Sequence, residues 1–139
     1  MAERKGQNYK TLQQAGEYGN ACVAVLSALF AADPAATIVL MGQLAGGITI
    51  TRVTVVHADL GSAQTMDIGY RYLDANDGGT DDPDGFFDGI DTGTAAGEAV
   101  KNGPIEIVDG CGIEILAQNL GDAATGQVDV IIDYVYNGQ

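Results

Sequence analysis

The sequence predicts an all-β chain, an antiparallel β-sandwich of jelly-roll type with an extended N-terminal arm. Three observations carry this. Apolar and polar residues alternate at period two in one segment after another. Turn-forming Gly, Asp and Pro close most of these segments, and helical spacing is scarce.

Residues 1–19 are polar, with Tyr9, Leu12 and Tyr18 as isolated anchors. They read as an arm of the kind that a neighbouring molecule orders. Arg4, Lys5, Tyr9 and Lys10 are its candidate partner contacts. Residues 20–139 read as a single sandwich domain. Its first apolar stretch, Ala21 to Ala32, carries Val23, Val25, Leu26 and Phe30 and stops at Asp33-Pro34. Frequent alanine leaves helix as a competitor there. Thr37 to Leu44 is a second apolar run, ended by Gly46-Gly47.

Ile48 to His57 is the richest in Val, Ile and Thr, the residues that favour a pleated surface. Its alternation slips near Arg52, which predicts a bulge. Met66, Ile68, Tyr70 and Tyr72 share one face of the next strand. Ile105 and Ile107 flank Glu106, and Ile113, Ile115 and Ala117 follow at the same period. Last come Val128, Val130, Ile132, Tyr134 and Tyr136, with Asp129 and Asp133 on the opposite face as guards of a sheet edge. The count is seven or eight strands. One long stretch, residues 74–103, reads as an acidic loop, with Phe86, Phe87 and Ile90 docking it onto the body.

Charge narrows the partners. Nineteen acids face six bases, a net −13, and sixteen of the acids lie in residues 59–139. Such a body repels phosphate, so nucleic acid is not a direct ligand. A basic protein surface or a divalent cation fits instead. The longest apolar run falls short of the roughly 20 residues a membrane helix needs, and the polar N-terminus does not read as a secretory signal. No membrane partner is expected. Cys22, in an apolar run, reads as a small buried hydrophobe, and Cys111, between two glycines, as a turn residue. Two cysteines do not make a secreted disulfide framework.

The catalytic inventory is thin. The chain has one histidine, His57, and two serines, Ser27 and Ser62, with no nucleophile elbow and no zinc or phosphate-loop spacing. A Cys–His pair has no support in the spacing, and His57 reads as a polar strand end. The acidic stretch carries hard oxygen donors at Asp74, Asn76, Asp77, Asp81 and Asp82, the ligand type that calcium takes. It is not an EF-hand, because its glycine comes one place early and the closing glutamate is missing. A solvated loop whose Asp-Gly and Asp-Pro steps make turns accounts for the same residues.

Three segments also carry a resemblance: ADLGSAQTMDIGYRY at 58–72, DDPDGFFDGIDTGTAAG at 81–97 and AATGQVDVIIDYVY at 123–136, after the Asp33-Pro34 corner. In this order they resemble small virion proteins of tailed bacteriophages, in particular the capsid decoration, or cement, proteins with a β-sandwich. The resemblance implies a non-enzymatic virion protein without a cofactor, made in the host cytoplasm. It implies a dimer or trimer that binds the outer surface of the capsid, with the major capsid protein as partner, and bridges capsomers. A calcium-dependent carbohydrate-binding module of jelly-roll type, using the 74–91 segment, is the alternative. The absence of Trp weighs against it.

Overall fold

The computed structural model describes residues 2–7, 9, 21–74, 80–108 and 110–137. Among them are nine strands and no helix. They are β1 (Glu3–Lys5), β2 (Ala21–Asp33), β3 (Ile38–Leu44), β4 (Ile48–His57), β5 (Thr65–Tyr72), β6 (Asp82–Asp91), β7 (Gly97–Val108), β8 (Ile113–Asn119) and β9 (Ala124–Tyr136).

Two sheets result, one ordered β1-β3-β8-β5-β6 and the other β2-β9-β4-β7. The pairing is nested. β2 pairs with β9, β3 with β8, β4 with β7 and β5 with β6, all antiparallel. The body is thus one long hairpin, with its tip between β5 and β6, rolled so that successive pairs fall in alternate sheets. Further ladders, β4–β9 and β5–β8, join neighbouring pairs within each sheet. This is jelly-roll connectivity. β1 adds a ninth strand, parallel to β3 at the edge of the five-stranded sheet.

The core lies between the sheets. Leu26, Phe30, Met41, Ile50, Ile68, Ile115 and Ile132 are fully buried there. In β2, Ala24, Leu26, Ala28 and Phe30 point inward, while Val23, Val25 and Leu29 point out. That is strand periodicity, so the competing helix is not formed. At Arg52 the register of both β4 ladders shifts between Ile50 and Arg52, the expected bulge. It lets Ile50 and Val53, three residues apart, both face the core. At the Asp33-Pro34 corner, the fully buried Asn119 amide donates to Asp33 O at 3.1 Å and to Asp122 O at 2.9 Å. One side chain thereby joins the β2–β3 turn to the β8–β9 turn.

Three expectations are corrected. First, residues 74–103 are not one loop, because they hold β6 and the start of β7. Phe86 is buried against Tyr70, ring centroids 5.3 Å apart, and Phe87 and Ile90 pair with Ile68 and Met66. Two register shifts in the β5–β6 ladder and the left-handed Gly89 (φ 65°) break the alternation, so no period shows in the sequence. Second, β9 is no edge. It lies between β2 and β4, and Asp129 and Asp133 face outward from the inside of a sheet.

Third, of the expected arm, residues 2–7 and Tyr9 are described, and these do not project. Beyond the β1 ladder, Gly6 N donates to Leu40 O at 2.5 Å and Gln7 N to Ser27 O at 2.9 Å, one bond to each sheet. Tyr9 is buried with Leu40 and Leu116 in a small second core on the outer side of β3 and β8. That cover explains why β8 is buried on both faces, Glu114 included. Lys10, Leu12 and Tyr18 lie outside the described residues.

Candidate interaction surface

The two sheets present unlike outer faces. On the five-stranded sheet, Arg71 of β5 stands opposite Glu114 of β8, which stands opposite Gln43 of β3. Tyr9 closes this row from above. Its hydroxyl donates to Glu114 Oε2 at 2.6 Å and accepts from Gln43 Nε2 at 3.0 Å. Arg71 Nε donates to Glu114 Oε1, and its Nη1 to Glu3 Oε2 at 3.1 Å. These hydrogen bonds, donated to Glu3 and Glu114, further stabilise the charged guanidinium. Lys5 sits 5.1 Å above the Tyr9 ring. Arg4 turns to β2, gripping Asp33 through two bonds of 2.8 and 2.6 Å and the Leu29 carbonyl at 2.7 Å. It also lies 5.4 Å over the Phe30 ring.

Arg4, Lys5 and Tyr9 therefore meet this chain's own residues, and the fourth expected partner contact, Lys10, lies outside the described ones. Titration should release the segment at both extremes. The Arg4 hydrogen bonds hold Asp33 below the usual carboxylate range. Their contribution is present above about pH 4 and is lost as pH falls through the lowered value. Burial, then the bond to Glu114, raises the Tyr9 phenol. That contribution is present below about pH 10 and is lost as pH rises further. Hydrogen exchange at residues 3–7 is expected to quicken below about pH 4 and above about pH 10 before that of β9. Loss of both regions together at either extreme would refute a separately anchored segment.

Of the expected calcium ligands, Asn76 and Asp77 lie outside the described residues. Asp81 accepts from Tyr72 N at 2.8 Å, and hydrogen bonding to Asp84 raises the pKa of Asp82, making it a weaker acid. The carboxylates that converge are others. Asp67 of β5 and Asp84 and Asp88 of β6 bring oxygens within 4.8 Å of one another. Asp67 stands outside the acidic run, and only the irregular β5–β6 register brings it there, so residue spacing carried no signal of this cluster. Oxygen donors alone suit a hard cation, but three carboxylates supply only part of the 6–8 oxygens calcium takes.

Asp67 accepts from Gly89 N at 2.7 Å, yet burial first, and then Asp88 and Asp84, raise its pKa. At neutral pH its charge is thus disfavoured by folding. Asp67→Asn is expected to raise the Tm at pH 7, the gain shrinking as pH falls and the parent carboxyl takes up a proton. Thermal melts from pH 4 to pH 7 check this. Adding calcium separates repulsion from ligation, since a rise in the parent alone marks a cation site.

The four-stranded sheet carries exposed aliphatic side chains on its outer face. Val25, Ile131, Thr54 and Val100 form one cross-strand row from β2 to β7. On one side lies the row Val23, Asp133, Arg52 and Asn102, and on the other Ser27, Asp129, Val56 and Glu98. Val23, Val25, Leu29, Val56 and Val100 are all exposed. Arg52 pairs with Asp133 at 2.8 Å.

His57 lies far from both cysteines. Cys22 stands opposite Tyr134 on β9 and His57 opposite Val128, six residues apart, or about 20 Å along a strand. Cys111, in the β7–β8 turn, lies beyond the far end of β4 from His57. The cysteines are not joined in a disulfide; Cys22 is half-buried and Cys111 exposed.

No family model matches the sequence, and no curated protein matches it. The fold has counterparts among solved structures. A chain in the capsid of Ralstonia phage GP4 superposes with a TM-score of 0.77 at 16% identity, covering 99% of this chain and 100% of that one. A chain in the capsid asymmetric unit of cyanophage Pam1 gives 0.66 at 19% identity, covering 93% and 94%. At these identities the likeness is one of fold: the same sandwich, end to end, in chains of two phage capsids.

Proposed function

We propose that this protein is a decoration, or cement, protein of a tailed bacteriophage, which binds the outer surface of the assembled capsid and bridges and stabilises its capsomers. The observation that carries the reading is the end-to-end match with a chain of the GP4 capsid. The counterpart is a stand-alone sandwich and not a domain of a longer resolved chain, as expected of a subunit added to a shell. The major capsid protein is the partner, and the working unit is a dimer or trimer on the virion. No cofactor and no catalytic step belong to this reading, in keeping with the separation of His57 from both cysteines.

Stabilisation follows from mass action. A protein that binds the assembled shell and not its free subunits stabilises it by RT ln(1 + [L]/Kd), about 2.7 kcal/mol per site at a hundredfold excess over Kd. Arg4, Lys5 and Tyr9 serve this role indirectly, by bracing the domain that makes the contact.

The test is to incubate the purified protein with capsids assembled without it. Co-sedimentation, extra density outside the shell by cryo-electron microscopy and a higher shell melting temperature are expected. Protein that stays in the supernatant, or that lodges inside the shell or on the tail, would overturn the reading.

A further inference from the structure

We infer that the protein docks through the outer face of the β2-β9-β4-β7 sheet, and that the occupant of this face is a surface of a different protein, apolar at its centre and rimmed by Lys or Arg. The inference rests on the decoration reading and specifies which side of the sandwich meets the shell.

Exposed aliphatic side chains are concentrated here. Among the described residues seven large hydrophobics are exposed, and five of them, Val23, Val25, Leu29, Val56 and Val100, stand on this sheet. Val23 is 61% exposed and Leu29 53%, on a strand that carries no charged residue from Ala21 to Ala32. Single exposed apolar residues are ordinary, but a contiguous patch rimmed by polar groups marks a binding surface. The other outer face shows the contrast, for there Tyr9 covers Leu40 and Leu116, and Arg71, Glu3 and Glu114 compensate one another.

Charge selects the occupant. Arg52 and Asp133 neutralise each other within the face. Asp129, which accepts from the neutral Gln127 amide at 3.0 Å, and the exposed Glu98 remain beside the apolar row. Both are negative and belong to a chain of net charge −13. A second copy would bring like charges together around the contact, which costs affinity, whereas Lys or Arg around an apolar patch complements both features. The apolar row supplies the buried centre of the contact and the acids its rim.

The experiment uses the full chain and capsids assembled without it, with hydroxyl-radical footprinting of the bound wild-type protein. Val23, Val25 and Leu29 are expected to be protected, while Leu73 and Leu120 react as in the free protein. Val25→Asp, a surface change whose fold is checked by circular dichroism and melting, is expected to weaken shell binding at least tenfold. Asp129→Lys is expected to slow association and to reduce its dependence on salt, and Asp67→Asn on the other sheet to leave binding unchanged.

A footprint on the five-stranded sheet, with wild-type binding intact, would overturn this inference and leave the decoration reading standing. Sedimentation of the free protein as a dimer that Val25→Asp dissociates would assign the face to a second copy, which also overturns it. Failure of the wild-type protein to bind capsids at all would remove both the decoration reading and this one.

Discussion

Ile132→Ala is expected to cost about 2–5 kcal/mol of folding stability, the usual loss when a large buried aliphatic side chain leaves a cavity. Ile132 is fully buried on β9, facing Ala24 of β2 and Val53 of β4 across its two ladders. Ala24 is too small to reach into the space, and Val53 is held by the adjoining bulge. A whole domain has only about 5–15 kcal/mol in hand, so a large part of the population should unfold at physiological temperature. Asp129→Asn, three positions earlier and on the other face, should change stability by less than about 0.5 kcal/mol, as for surface substitutions generally. Urea titration compares the two midpoints. Equal losses would mean that the outer face of β9 is as tightly packed as the inner one.

Glu114→Ala is the second large effect. It removes at once the acceptor of the Tyr9 hydroxyl and of Arg71. Hydrogen bonds to a charged group contribute about 1.5–3 kcal/mol each. Arg71 is partly exposed and keeps Glu3, so the two losses do not add in full. A net cost of about 2–3 kcal/mol is expected. It should fall first on residues 2–7 and Tyr9, which β8 holds through this carboxylate. Arg4 and Lys5 are trypsin sites, and their cleavage is expected to be at least tenfold faster in the variant at a temperature where the sandwich stays folded. Unchanged cleavage with a lower Tm would show that Glu114 supports β8 alone and does not tether the N-terminal segment.

The strands were legible where one face is buried and the other wet. β4 and β9 alternate because most of their inward residues are Val, Ile and Tyr and most of their outward ones Thr, Arg, Gln and Asp. The bulge at Arg52 was legible for the same reason, as a break in that rhythm. β6 was not. Its Asp and Gly residues are poor strand formers by composition, and its pairing to β5 slips twice, so Phe86 alone of its side chains is fully withdrawn from water. The role of residues 2–7 and Tyr9 was hidden differently. Nothing local in Glu3-Arg4-Lys5 reveals that Asp33, Arg71 and Glu114 lie within reach, since those contacts join residues far apart in the chain. The convergence of Asp67 with Asp84 and Asp88 has the same origin. The outer face of the four-stranded sheet was half legible: Val23 and Val25 were visible as an apolar strand, but the direction in which they point depends on which neighbours share the core.

The nesting of the strand pairs also bears on synthesis. β9 fills the place between β2 and β4, so the four-stranded sheet has no middle until residues 124–136 have been made. The β2–β9 ladder joins residues about a hundred positions apart, the kind of distant pairing that makes folding slow. The growing chain therefore cannot settle strand by strand on the ribosome, and it must commit late, with β2 waiting for a neighbour that is translated last among the nine. Any product of a premature stop before residue 124 leaves β2 and β4 unjoined and the β2–β7 face unbuilt. Such fragments lack the face through which, on the proposed reading, the complete molecule docks on a shell.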